Sequence, residues 1–154
     1  MTRYFLDSSA LVKRYVREIG SAWVNEITEP RAQHGLLIAE IGIAEVAAAF
    51  GARFRNQQNI DQQIRERTLR RFLDDCDDRF VIVATDRAII DKAVELTGRH
   101  RLRAYDAVQL ASALSIRDAL EDPGQIPPIL VSADSELLEA GIAEGMMVEN
   151  PLNH

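Results

Sequence analysis

Residues 3–15 read RYFLDSSALVKRY. Tyr4, Phe5 and Leu6 make a short apolar run of the kind that forms a buried strand, and Ser8 onward reads as a helix. Asp7 stands between them, a carboxylate where strand hands over to helix. The same alternation continues along the chain. Strands are expected over 3–7, 35–39, 80–84 (FVIVA), 129–133 (ILVSA) and 146–149, each short and apolar. Ser8 or Ser9 is expected to cap a helix running to about Glu18 and ended by Gly20. Further helices are expected near 21–28, over 40–55 and 60–76, from Asp86 to about Thr97, over 104–120 and after Asp134. In the third of these helices Ile43, Ala47, Phe50 and Phe54 are spaced as one stripe, and in the fourth Ile64, Leu69, Phe72 and Leu73 are expected to face inward. EDPGQIPP, residues 121–128, reads as a loop.

Buried strands alternating with helices indicate an α/β domain with a mainly parallel sheet. In such sheets ligands bind beyond the carboxyl ends of the strands. Asp7 and Asp134 each fall just past such an end.

The 154 residues fit one domain, 1–154, large enough to bury a core without disulfides or structural metal. Cys76 is the single cysteine, which removes a disulfide framework and a cysteine zinc site. No signal-peptide pattern or bilayer-length apolar run occurs, so no membrane association is expected and a reducing cytoplasm is the simplest location. The net charge of −6 is unevenly spread. All 18 basic residues lie within 1–117 against 16 acids there, a balance of +2, whereas 118–154 carry eight acids and no Lys or Arg. Arginine outnumbers lysine 16 to 2 and clusters, at Arg53 and Arg55 and then in a set of seven: Arg65, Arg67, Arg70 and Arg71, with Arg99, Arg101 and Arg103. An acidic chain does not coat nucleic acid wholesale, but these seven arginines are candidates for a local ridge that meets RNA. Solvated helix faces with acidic partners are the alternative.

Asp7 has three companions. Glu45 lies in the alanine-rich stretch IAEVAAAF, Asp106 in LRAYDAVQLASAL, and Asp134 in ILVSADSELL, two residues after Ser132. Each aspartate alone could cap a helix or complement its dipole. Four carboxylates converging on one sheet edge would repel, by about 4 kcal/mol for a pair 4 Å apart at an effective dielectric of 20. A divalent cation neutralises such a cluster, and hard oxygen ligands point to Mg²⁺ or Mn²⁺ rather than zinc. Metals of this class polarise phosphoryl oxygens and activate water. Paired carboxylates also serve glycosidases, but no sugar-stacking aromatics accompany these.

YFLDSSALVKRY, the glutamate in IAEVAAAF, LRAYDAVQLASAL and ILVSADSELL resemble, in order and spacing, the motifs of PIN-domain ribonucleases, most closely the VapC toxins of toxin–antitoxin pairs. The resemblance spans nearly the whole chain, and LRAYDAVQLASAL is its most specific part. It implies a PIN-like three-layer α/β/α sandwich around a mainly parallel sheet of four to five strands. It implies Mg²⁺- or Mn²⁺-dependent endonucleolytic cleavage of RNA, with Asp7, Glu45, Asp106 and Asp134 as the acidic site. Asp7, Asp106 and Asp134 would hold the metal, and Glu45 would be a ligand or orient the attacking water. It further implies a homodimer and inhibition by a small cognate VapB-like antitoxin. Ser8, Ser132 and Gln109 are candidates to hydrogen-bond the carboxylates or metal waters; Gln109 stands where many relatives carry histidine. Asp86, in VIVATDRAII, mimics Asp134 locally, and only the resemblance assigns the site role to Asp134 and leaves Asp86 as a cap. His34, His100 and His154 belong to no motif. Two other readings share these features: a PIN-domain nuclease of RNA processing, and a receiver-like Mg²⁺-binding signalling module. The latter needs a lysine late in the chain, and none follows Lys92.

Overall fold

The computed structural model describes residues 1–56, 61–122 and 124–154. Five parallel strands, β1 (Arg3–Leu6), β2 (Gly35–Ala39), β3 (Val81–Val83), β4 (Ile129–Val131) and β5 (Val148–Glu149), form one sheet in the order β3-β2-β1-β4-β5. Seven α-helices are found among the described residues: α1 (Ser8–Tyr15), α2 (Ser21–Thr28), α3 (Glu40–Asn56), α4 (Gln62–Asp78), α5 (Arg87–Arg99), α6 (Ala104–Asp118) and α7 (Ser135–Ala143). Every expected strand and helix is present, with ends that fall within a few residues of those expected on either side. The expected start of α4 at residue 60 and Pro123 of the 121–128 loop lie outside the described residues.

Alternation of side chains along the strands divides the core in two. Phe5, Leu37, Ala39 and Leu130 point to one face, where they pack with Ala93 and Leu96 of α5, Leu110 and Leu114 of α6 and Leu137 of α7. Leu6, Leu36, Ile38 and Val131 point to the other, against Leu11 of α1, Ile27 of α2, Val46 and Phe50 of α3 and Phe72 of α4. Both faces are therefore covered, which is why these strands read as unbroken apolar runs. The result is a three-layer α/β/α sandwich.

Several local expectations are corrected. Asp7, not Ser8 or Ser9, is the N-cap of α1, accepting from Ala10 N. That helix stops at Tyr15, and Gly20 instead precedes α2 with a φ of 88°. A side chain at Gly20 would place its Cβ 2.7 Å from the Pro151 carbonyl oxygen, so both conformation and space require glycine. The buried stripe of α3 is Gly42, Val46 and Phe50, with Ile43, Ala47 and Phe54 only half-buried beside it. In α4, Phe72 and Cys76 are buried and Leu69 packs against them, whereas Ile64 and Leu73 are exposed. Among the described residues no helix is long and apolar enough to cross a membrane.

Candidate active site

Strand order reverses around β1: the chain adds β2 and β3 on one side, then β4 and β5 on the other. The carboxyl ends of β1 and β4 therefore flank a topological switch point, where open parallel sheets place their ligand crevice. Asp7 follows β1 there, and its backbone N–H donates to the carbonyl of Val131, the last residue of β4.

Asp7 is 3% exposed. Its Oδ1 accepts from Ala10 N at 2.9 Å and its Oδ2 from the Ser132 hydroxyl at 2.7 Å. The Ser9 hydroxyl straddles both oxygens at 2.8 and 3.0 Å. Ser9 Oγ in turn accepts from Ala133 N, and Ser132 Oγ accepts from Asp134 N. The expected contact of Ser132 with the acids is present. Ser9 was not anticipated; its signal is the D-x-S spacing, which lets a residue in the first turn fold back onto its cap. Burial pushes the Asp7 carboxyl up to about 6; the three donors oppose the rise, and the Glu45 charge adds to it. The opening aspartate is thus a helix cap and a perturbed acid at once.

The other acids arrive from three further elements. Glu45 projects from α3, where Gln109 Nε2 of α6 donates to its Oε2, and Ser8 lines the same cleft. Gln109 is 1% exposed, and a Cβ at Gly42 would lie 3.3 Å from its Nε2, so the small residue on α3 makes room for the amide. Burial raises the Glu45 pKa, with the Asp106 charge adding to it. Asp106, in the first turn of α6, is raised by burial and by the charge of Asp134, and lowered by Arg103. Asp134 caps α7 through Oδ1, which accepts from Glu136 N and Leu137 N. The four acids therefore feel one another in sequence: Asp7 with Glu45, Glu45 with Asp106, Asp106 with Asp134.

Asp86 caps α5 in the same manner, accepting from Ile89 N. It follows β3 at the sheet's edge, two strands from β1, or roughly 10 Å at the usual inter-strand spacing. Asp134 follows β4, the immediate neighbour of β1. Identical local physics is separated by strand order.

Among the described residues no three His, Cys, Asp or Glu side chains lie close enough together to form a closed metal cage. The donor set still suits Mg²⁺, which keeps several waters and binds through one or two carboxylates. The raised acids supply the negative charge that such an ion neutralises.

The arginines divide. Arg99 pairs with Glu144 and Arg101 approaches Glu136 at 3.8 Å, while Arg103 acts on Asp106. Arg65, Arg67, Arg70 and Arg71 lie exposed along α4, with Arg71 over the Tyr15 ring. The histidines are occupied elsewhere: His100 with Glu144, His154 stacked on Trp23, and His34 against Tyr4.

The PIN domain family model matches residues 4–142. Among solved structures, a crystal structure of a protein from Pyrobaculum aerophilum is 21% identical, with a TM-score of 0.64, over 96% of this chain and 83% of that one. A toxin–antitoxin complex from Klebsiella pneumoniae is 20% identical (TM-score 0.63; 96% and 97% covered). VapBC2 from Rickettsia felis, bound to a DNA fragment from its promoter, is 15% identical (TM-score 0.63; 97% and 98% covered). No curated protein sequence matches the chain. The family match, nearly end to end, agrees with the parallel sandwich and its acid-lined switch point: the chain belongs to the PIN-domain family.

Proposed function

We propose that this chain is a metal-dependent endoribonuclease and the toxin of a type II toxin–antitoxin pair. The observation that carries the nuclease reading is the delivery of Asp7, Glu45, Asp106 and Asp134 from four elements to one sheet edge, where burial and mutual charge raise three of them. Asp7, Asp106 and Asp134 are the residues proposed to hold the cation, Mg²⁺ or Mn²⁺, one or two of them directly and the rest through the waters such an ion keeps. When bound, it supplies Lewis-acid polarisation of a phosphoryl oxygen and shielding of the charge that develops in hydrolysis.

The chain's own groups then divide the work. Asp7 is locked by Ala10 N, Ser9 and Ser132 and is the rigid floor of the site. Glu45 lines an open cleft with Ser8 and Ser9, so it is the acid placed to orient a water and receive its proton. Gln109 fixes the Glu45 carboxylate. Arg101 and Arg103, beside Glu136 and Asp106, are the ridge candidates nearest the acids. The motif resemblance supports the toxin role, a cognate VapB-like antitoxin and a homodimer, and the near-complete coverage of chains from toxin–antitoxin complexes supports the first two.

Incubating the purified protein with total RNA in Mg²⁺, Mn²⁺ or excess EDTA tests the activity. Cleavage is expected with either metal and not in EDTA; full cleavage in EDTA overturns the metal dependence. Growth arrest on induction, relieved by co-expressing a small DNA-binding protein encoded beside this gene, tests the toxin role.

A further inference from the structure

The cleft that Glu45 lines runs between α1 and α3 and encloses about 280 Å³. Glu45, Ala49 and Arg53 line it at successive intervals of four residues on α3, so Arg53 stands two turns, or about 12 Å, along the helix from Glu45. Lys13 and Glu18 line the same cleft. Lys13 is 6% exposed and its Nζ lies 2.8 Å from Glu18 Oε1; Arg53 pairs with Glu18 Oε2. Burying an ammonium demands a partner, and Glu18 provides it. A single carboxylate thus serves two cations, leaving a balance of +1 in a cleft whose other end is acidic. The Arg53 side chain is 43% exposed, and a guanidinium carries five donors, more than one shared carboxylate oxygen employs.

We propose that Arg53 is a subsite for a backbone phosphate of the RNA strand, displaced along the strand from the phosphate that reacts, with the Lys13–Glu18 pair positioning it. This rests on the nuclease reading above. The cation offsets the repulsion that a polyanion meets on approaching four carboxylates, and Ala49 between Glu45 and Arg53 keeps the path between them low. The α4 arginines do not share this position: Arg65 lines a separate cleft with Phe54, Arg55 and Gln62.

The test is fluorescence polarisation of a mixed-sequence single-stranded RNA oligonucleotide across a salt series in EDTA, with cleavage of total RNA in Mg²⁺ run in parallel. Arg53→Gln is expected to weaken binding about tenfold at low salt and to flatten the dependence of log K on log salt by about 0.7, one phosphate contact on a single strand. Arg53→Lys is expected to keep the slope. Arg87→Gln, which removes an arginine 86% exposed and paired with Asp91 on α5, is expected to change nothing. Melting curves of all three variants establish that they are folded. If wild type binds and cuts RNA while folded Arg53→Gln keeps the wild-type slope and affinity, the subsite is overturned and the nuclease reading stands. If wild type neither binds nor cuts RNA, the nuclease reading itself fails, and the subsite with it.

Discussion

Ser132 Oγ donates to Asp7 Oδ2 across 2.7 Å of space and 125 positions of sequence. The bond ties the carboxyl end of β4 to that of β1, and the same hydroxyl accepts from Asp134 N, so one serine braces two of the four acids. Ser132→Ala is expected to destabilise the fold by about 1–3 kcal/mol, because Asp7 and the Asp134 amide both lose a buried partner. It should also move the Asp7 carboxyl further upward, since that donor favours the ionised form. A two-dimensional NMR titration of the Asp7 carboxyl carbon, beside a melting curve, measures both.

Asp7 makes the metal-free protein weaker as pH rises. Its folded pKa of about 6 lies above the ordinary value of 3.8, so the folded state binds more protons in between. The associated stability is complete below about pH 4 and is lost as pH climbs through 6, to a limit on the order of 3 kcal/mol. Asp7→Asn is therefore expected to melt higher than wild type at pH 7.5 in EDTA and to lose that advantage near pH 4. Cleavage should be abolished. An equal melting temperature at both pH values contradicts the assignment.

Divalent cation should reverse the same pH trend. A Mg²⁺ or Mn²⁺ titration is expected to raise the melting temperature at pH 7.5, where the acids are ionised, and to have much less effect at pH 4.5. Differential scanning fluorimetry at the two pH values checks it.

Asp86 and Asp134 give a matched pair. Asparagine caps helices about as well as aspartate, so either Asn variant should stay folded. Asp134→Asn is expected to lower metal-dependent cleavage at least a hundredfold, and Asp86→Asn to leave it within about twofold. RNA cleavage measured beside melting curves decides it, and a dead Asp86→Asn with an active Asp134→Asn reverses the assignment.

Gln109→Leu removes the donor that favours ionised Glu45. The pH–rate profile should shift to higher pH, with its acidic limb moved by the rise in the Glu45 pKa. Stability should change little, because the Gln109 Oε1 has no partner among the described residues and its loss removes a buried, unsatisfied acceptor.

Much of the architecture is legible because strands covered on both faces need no polar alternation. ILVSA reads as a buried run and largely is one; FVIVA reads the same way but lies at the sheet's edge, where Val81 is 59% exposed. Asp7 and Asp134 are legible as positions at a strand's carboxyl end, but so is Asp86, and only the motif resemblance sets Asp134 apart from it. Glu45 and Asp106 are different. Their helices give no reason why those two positions should face Asp7, and the motif resemblance alone selects them. The burial phase of α3 was misplaced because alanine on every side blurs the stripe: Gly42–Val46–Phe50 differs from Ile43–Ala47–Phe50–Phe54 by a small rotation. In α4 the covered stripe is Leu69, Phe72 and Cys76, which leaves Leu73 and the earlier Ile64 in solvent. The Lys13–Glu18–Arg53 cluster was invisible for a plainer reason. Lys13 and Arg53 are 40 positions apart, and only the packing of α1 on α3 brings them to one carboxylate.

The strand order also sets when the site comes into being. β4 must insert beside β1 before Ser132 reaches Asp7 or Asp134 reaches Asp106, and 122 residues of chain separate the two strands. A nascent chain emerging from the ribosome has Asp7 and Glu45 early, but its acidic site stays incomplete until β4 and Asp134 have also left the exit tunnel. Deleting the chain from β4 onward should yield a product without the activity, however well its first three strands fold.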